Sequence, residues 1–347
     1  MTNDRWRAFV ALCDARFREF FRESEAIFWT FVFPVVLTVV LAIAFRNRPV
    51  ESFAVAITEG PRSGELAATL GAAGRFDVRL LKENEAKNAL RLGKVALVIL
   101  PGASGVEYRL DPSRPESALA RHEADAALQR AAGRADALPT KQTEVSEPGS
   151  RYIDFLVPGL IGLGLMNGGM WGVGFNLVDM RIKKLLKRLL ATPMRRPDFM
   201  MAQMTLRLAA MFIEVGFLLV FARFALGVPI LGSWLAIFAV GGLGALAFGG
   251  IGILLASRAQ RIETVMGLMN VVSMPMTIGS GVFFSVERFP AMVQPLVRVL
   301  PLTALIDALR AVTLEGATLG SQAVPLAILS GWGIVSFVVG VRLFRWN

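Results

Sequence analysis

"FLVPGLIGLGLMNGGMWGVGFNLV", residues 155–178, runs for 24 residues without a charge. As a helix rising about 1.5 Å per residue, it outreaches the roughly 30 Å hydrocarbon core of a bilayer. Comparable runs lie at 26–45, 204–226, 231–256, 264–284 and 323–341. The whole chain, 347 residues, is 54% hydrophobic and only 18% charged, too apolar for a soluble domain of its size. These runs predict a polytopic α-helical membrane protein with six transmembrane helices.

Residues 46–151 change character: they are polar, carry both signs of charge and contain no span-length run. "SFAVAIT" (52–58), "FDVRLL" (76–81), "VALVIL" (95–100) and "VEYRL" (106–110) read as strands. The stretches between them, and 114–133, have helical patterns. This alternation predicts a small α/β domain with a partly parallel sheet, inserted between the first and second spans. It holds no Gly-rich phosphate loop, so no nucleotide site is read there.

Lysine and arginine set the orientation. With the N terminus inside, 179–200, 257–263 and the closing "RLFRW" all fall on the cytoplasmic side, as the positive-inside rule requires. The expected order is then an amphipathic interfacial helix within 1–25, a first span at 26–45, an extracytoplasmic domain at 46–151, and a transmembrane domain at 152–347. The last carries a cytoplasmic helix at 179–197 and short outer helices at 286–314. In residues 5–25, Trp6, Phe9, Phe17, Phe20 and Phe21 recur at helical spacing with arginines between them, which suits a helix lying in the membrane interface. Ala42-Ile43-Ala44 mimics a signal-peptidase site, but the polar segment before the run is long and the run is span-length, so an uncleaved anchor is expected.

A net charge of +10 invites a nucleic-acid reading, yet much of the excess sits beside apolar runs and no motif reads or stacks on bases. A single cysteine, Cys13, excludes an internal disulfide, and the lone histidine, His122, offers no metal site. No Walker A sequence, triad candidate or HExxH occurs, so the chain is expected to be no enzyme and to bind no cofactor itself.

"RIKKLLKRLLATPMRRP", residues 181–197, carries seven basic residues and no acid. On one helix Ile182, Leu185, Leu186, Leu189 and Leu190 share an apolar face. Arg181, Lys184 and Arg188 share a basic one, and Pro193 helps to end the helix. Such a helix lies flat beneath the membrane with its cations toward lipid headgroups or an acidic protein partner, and the residues alone leave both open.

Glu214 falls near mid-span, where an ionised carboxylate facing lipid costs at least about 2.5–3.5 kcal/mol. It is expected to face a neighbouring helix, an arginine or a polar cavity, or to be protonated, either on a substrate or ion path or as a structural hydrogen-bonding group. Arg207, one heptad earlier, is expected to snorkel inward. Asn167 and Asn270 are weaker cases of the same kind. Gly164, Gly168 and Gly172, every fourth residue, make a stripe along which another helix could approach closely.

The order of features completes a pattern. An interfacial helix and a span with Phe33-Pro34 precede the β/α insert. Then come "YIDFLVPGLIG", a basic helix closing in "LLATPMRRPDF", and late "SGVFFSVERFP" with "LPLTALIDALR". Together these resemble the membrane (permease) subunit of type-2 ABC exporters, in the branch with a large extracytoplasmic domain between spans 1 and 2. The resemblance covers essentially the whole chain.

It implies a homodimer in the bacterial cytoplasmic (inner) membrane, both termini cytoplasmic, bound to separate P-loop ATPase subunits that carry the ATP and Mg. It makes the stretch from Arg181 to Pro193 a coupling helix docked on the ATPase. The 286–314 segment becomes a pair of short helices near the exit of a path, with Phe283 and Phe284 joining Asn167, Glu214 and Asn270 as candidates to line it. An amphiphilic cargo, lipid or drug-like, suits an apolar lining with sparse polar groups, and residues 46–151 would be free to meet a periplasmic partner. One departure stands out: where the family often reads acidic-Arg-acidic and then Gly-Thr-Leu, this chain has Asp179-Met180-Arg181 and then Ile182-Lys183-Lys184, a more basic docking surface. Two other classes compete: an ion-coupled secondary transporter using Glu214, for which no internal repeat is visible, and a non-transporting anchor whose outer domain binds a partner.

Overall fold

A computed structural model describes residues 27–44, 52–102, 105–134, 149, 151–191 and 196–345. The interfacial helix expected at 5–25 and Pro193 lie outside the described residues. The chain divides into two units, residues 46–145 and residues 1–45 with 146–347.

The first apolar helix, α1 (Phe33–Ala44), follows a π-turn at Phe28–Val32. Pro34 lacks the N–H that an α-helix would use here, and the wider turn just before it absorbs that loss. Thr38 Oγ1 donates to Pro34 O at 2.6 Å one turn on.

Residues 53–131 then run β1 (Phe53–Thr58), α2 (Ser63–Ala72), β2 (Phe76–Leu81), α3 (Glu83–Arg91), β3 (Leu97–Pro101), β4 (Val106–Leu110) and α4 (Pro115–Ala131). The sheet order is β2-β1-β3-β4, with β1 parallel to both neighbours and β4 antiparallel to β3. Alternate side chains of the central strands point to opposite faces. Val55, Ile57, Leu97 and Ile99 meet Leu66 and Leu70 of α2 and Ala120 and Ala124 of α4. Ala56 and Val98 meet Ala86 of α3 on the other face. At the antiparallel edge, the Tyr108 hydroxyl donates to Asp125 Oδ1 of α4 at 3.1 Å.

In the membrane unit α5 (Tyr152–Asn167), a π-helix (Gly168–Phe175) and α6 (Asn176–Ile182) form one rod. After it come α7 (Leu185–Leu190), α8 (Arg196–Ala225), α9 (Trp234–Ala256), α10 (Ile262–Gly279), the short α11 (Gln294–Arg298) and α12 (Pro301–Glu315), and α13 (Ala323–Leu343). Among the described residues four helices are long and apolar enough to cross a membrane: 152–182, 198–225, 234–256 and 319–343.

The α9 helix sits at the centre of this unit, and glycine sets how closely its neighbours approach. A Cβ on Gly252 would stand 2.6 Å from Gly169 O, one on Gly250 3.0 Å from Gly333 O, and one on Gly340 2.9 Å from Leu254 N. Backbone therefore touches backbone between the rod and α9, and between α9 and α13. This corrects the stripe expected from the sequence. The π-helix hydrogen-bonds i to i+5, and its wider turn brings residues five apart much nearer to one face than an α-helix does. Gly169 and Gly174 take the contact with α9, while Gly172 has nothing within 4 Å of a Cβ position.

Gly252→Ala should therefore cost about 1–3 kcal/mol by forcing backbones apart. Gly172→Ala should stay within about 0.5 kcal/mol of the parent chain. Thermal unfolding in detergent compares the two. In the α/β unit, burial first and the hydrogen bond to Asp125 second push the Tyr108 phenol up to about 12 from an ordinary 10.0. A raised pKa keeps this contribution to stability intact below about pH 10 and removes it as pH climbs through about 12. Ultraviolet titration of phenolate in a Tyr152→Phe chain, which leaves Tyr108 as the one tyrosine, should show this late ionisation.

Candidate functional site: a buried ion pair and a basic turn

Two features of the membrane unit carry charge where charge is costly. The first is on α8. Arg207 Nη1 donates to Glu214 Oε2 at 3.0 Å, and Arg207 Nη2 donates to Leu165 O on the rod at 3.2 Å. Their side chains are only 6% and 9% exposed. Seven residues is two helical turns, so both groups lie on one face of α8.

Two of the expected packing glycines face this pair. A Cβ on Gly164 would fall 2.5 Å from Glu214 Oε1, and one on Gly168 2.5 Å from Arg207 Cζ. These glycines make room for an ion pair rather than for another backbone. Arg207 does not snorkel away as the sequence suggested; pairing offsets the desolvation of both charges without moving either to water.

Glu214 also borders a crevice lined by Phe31, Pro34, Leu160, Ile161, Phe217 and Leu218. The other proposed path residues do not line it. Asn167 and Asn270 are exposed, and Phe283 and Phe284 are half-buried. The Phe283 carbonyl accepts a hydrogen bond from the Tyr152 hydroxyl at 2.9 Å, and the Phe284 ring sits 5.6 Å from that of Phe289.

The second feature is the basic stretch after the rod, which is not one helix. Helix α6 ends at Ile182 and α7 restarts at Leu185; between them Lys184 takes a left-handed φ of 57°. That break resets the helical phase and corrects two assignments. Arg181, placed on the basic outer face by its spacing, is only 8% exposed, and Ile182, placed on the apolar face, is 44% exposed.

Arg181 turns inward. Nη1 donates to Ala256 O at 2.9 Å and to Ala259 O, Nη2 donates to Ser257 O at 3.3 Å, and the guanidinium lies 4.6 Å from the centre of the Phe344 ring. Leu186 is buried beside it in sequence and Leu185 half-buried, while Lys184, Lys187 and Arg188 are exposed. Lys183 pairs with Asp179 at 2.8 Å. The side chains of Leu189 and Leu190 lie outside the described residues.

Two arginines that the sequence reading passed over tie the opposite end of the rod. Arg310 donates through Nε to Phe155 O at 3.2 Å and through Nη2 to Gly281 O, and stacks 3.5 Å from the Phe155 ring centre. Arg151 bridges Asp154 to the carbonyls of Leu226 and Gly227 at 3.1 and 2.9 Å. For Arg310 the available signal was an arginine in the largely apolar "LTALIDALRAV", where Asp307 is the one other charge.

Removing one partner of the α8 pair leaves an uncompensated buried charge. Glu214→Gln should lower stability by about 3–5 kcal/mol, whereas Arg207→Met with Glu214→Leu should lose far less. Thermal unfolding of the two variants in one detergent distinguishes an ion pair kept for structure from a free carboxylate, for which Gln would be benign.

Comparison with known proteins agrees with this architecture. The family model described as "ABC-2 family transporter protein" matches residues 25–342. Over 207 residues the chain is 26% identical to "ABC transporter G family member 20" of Dictyostelium discoideum. That stretch covers 59% of this chain and 28% of the relative, so the chain spans little more than a quarter of that protein's length. The family match takes in the rod, the helices that follow it and the basic turn between them, and on it the chain is assigned: it is a membrane protein of the ABC-2 transporter family.

Proposed function

We propose that this chain is the permease subunit of an ATP-driven exporter, working as a homodimer with separate P-loop ATPase subunits that bind ATP and Mg. The observation that carries the proposal is the exposed basic turn. Lys184, Lys187 and Arg188 project from the end of a membrane-length rod in a chain of the ABC-2 family. An ATPase surface rich in acidic groups suits that turn. Both termini are then cytoplasmic in a bacterial inner membrane, and the α/β unit is extracytoplasmic, open to a periplasmic partner.

In this reading α1 and α10 complete a set of six spans. Helix α10 buries only Val265, Met269, Ser273 and Met276 among its hydrophobic and small polar residues. Val271, Met274 and Ile278 are 73%, 66% and 56% exposed, with Asn270 exposed among them. An apolar surface with a single amide suits the seam of a homodimer and an amphiphilic cargo, a lipid or a drug-like molecule, leaving the cytoplasm or inner leaflet. Cargo and nucleotide then shift the same equilibrium only through their different affinities for inward- and outward-open states. The pairing of Glu214 with Arg207 counts against the ion-coupled alternative, because a carrier carboxylate must exchange its proton with water.

The chain, tagged and extracted gently from native membranes, should bring down a stoichiometric P-loop ATPase whose hydrolysis it stimulates. Lys187→Glu with Arg188→Glu should abolish that stimulation while the chain still inserts and sediments with membranes. Normal stimulation by the double variant would make the turn a topological signal only.

A further inference from the structure

We infer that Arg181 is a positioning residue that carries movement of the docking turn into α9 and α13, so that the rod, α9 and α13 move as one body. The inference rests on the ATPase-docking reading above and goes beyond it by naming which helices the push reaches and through which side chain.

The reason begins at the end of α9. The last carbonyls of a helix have no donors within it and carry the negative end of its dipole. Helix α9 stops at Ala256 and is followed by Ser257, not by the glycine that often closes a helix. A missing donor comes from another helix: the Arg181 guanidinium serves Ala256 O, the last carbonyl of α9, together with Ser257 O and Ala259 O of the turn that follows. A planar fork of N–H groups meets the three carbonyls in one fixed geometry, whereas a lysine ammonium, with three donors but a flexible stem, is not held to it.

Helix α13 ends on the same side chain. Phe344, the first residue past α13, lays its ring against the guanidinium, and the Arg345 backbone N–H donates to Ser257 O at 3.0 Å. Three helix ends therefore meet at one buried arginine. Deeper in the membrane, the glycine contacts of Gly252 on Gly169, Gly250 on Gly333 and Gly340 on Leu254 lock the same three elements backbone to backbone. Two other helices are held differently: α10 buries few residues and leaves α9 through the 257–261 turn, and α8 reaches the rod with the Arg207–Glu214 pair. Arg181 stands immediately before Ile182, where the rod gives way to the docking turn, and is the buried charged group on the rod side of that turn.

A residue that merely stabilises the fold would weaken every response in proportion; a transmitting one separates them. In a Cys13→Ser background, reconstituted in nanodiscs with the co-purified ATPase, one reporter is Ala191→Cys beside the docking turn. The other is Ala323→Cys at the far end of α13; both positions are exposed. Maleimide labelling rates are compared with ADP and after trapping with ATP and vanadate. With Arg181 present, both rates should change at least about fivefold, the lower range of a site-to-site coupling.

In Arg181→Ala the change at 191 should persist while that at 323 collapses toward onefold. Arg181→Lys, which keeps the charge but not the fork, should fold like the parent and lose most of the response at 323. An undiminished response at 323 in either variant overturns the inference, as does proportionate loss at both reporters or a parent chain that never responds at 323. Absence of any nucleotide response at 191 in the parent chain is a separate result: it removes the docking reading, and this inference with it.

Discussion

Lipid tails are as apolar as leucine, so burying leucine between two membrane helices gains little, and close van der Waals contact must supply the adhesion instead. In this chain that contact is backbone on backbone around α9, and it depends on a local change of helical pitch. From Gly168 to Phe175 the rod winds as a π-helix, which brings Gly169 and Gly174, five residues apart, onto α9. An α-helical continuation would have rotated one of them away and presented a side chain in its place. The π segment starts three residues after Leu165, whose carbonyl accepts from Arg207. Pitch, close packing and the seat of the ion pair thus share a short stretch of chain.

Three inward-turned arginines among the described residues of this unit follow one rule. Arg181 serves the end of α9, Arg207 a carbonyl of the rod, and Arg310 the carbonyls of Phe155 and Gly281. In each case a guanidinium donates to backbone of another element. In a medium of low dielectric such charge-assisted bonds are strong, and an unpaired carbonyl or guanidinium is costly. The same chemistry that makes these residues expensive in lipid makes them effective ties between helices, near both ends of the rod and between them.

How far the sequence could be read follows from which signals are periodic. Apolar runs mark the long helices to within eight residues at their ends, and the runs at 52–58, 76–81, 95–100 and 106–110 match the four strands of the α/β unit to within two residues. Period and run length survive averaging over many residues. Changes made by one residue do not. The switch to π winding at Gly168 left Gly172 without the contact its spacing implied, and the break at Lys184 exchanged the surroundings of Arg181 and Ile182. Glu214 was recognisable as needing a partner because its cost in lipid is large, and an arginine was among the candidates. The direction Arg207 would take was not legible, since snorkelling and pairing within the helix place the same residue at the same height.

The break at Lys184 also bears on the one place where the chain departs from the pattern it resembles. A left-handed φ costs a side-chain-bearing residue roughly 1–2 kcal/mol that glycine escapes. Here Lys184 holds φ at 57°. The surroundings must therefore over-determine the turn: Lys184 N–H donates to Arg181 O at 3.0 Å, Lys183 N–H to Asp179 O at 2.9 Å, and the Lys183 ammonium reaches the Asp179 carboxylate at 2.8 Å. With Arg181 fixed to α9 on one side and Leu186 buried on the other, the turn has its geometry set by its ends. A lysine can then occupy the strained position, where it adds charge to an exposed surface at the cost of backbone strain.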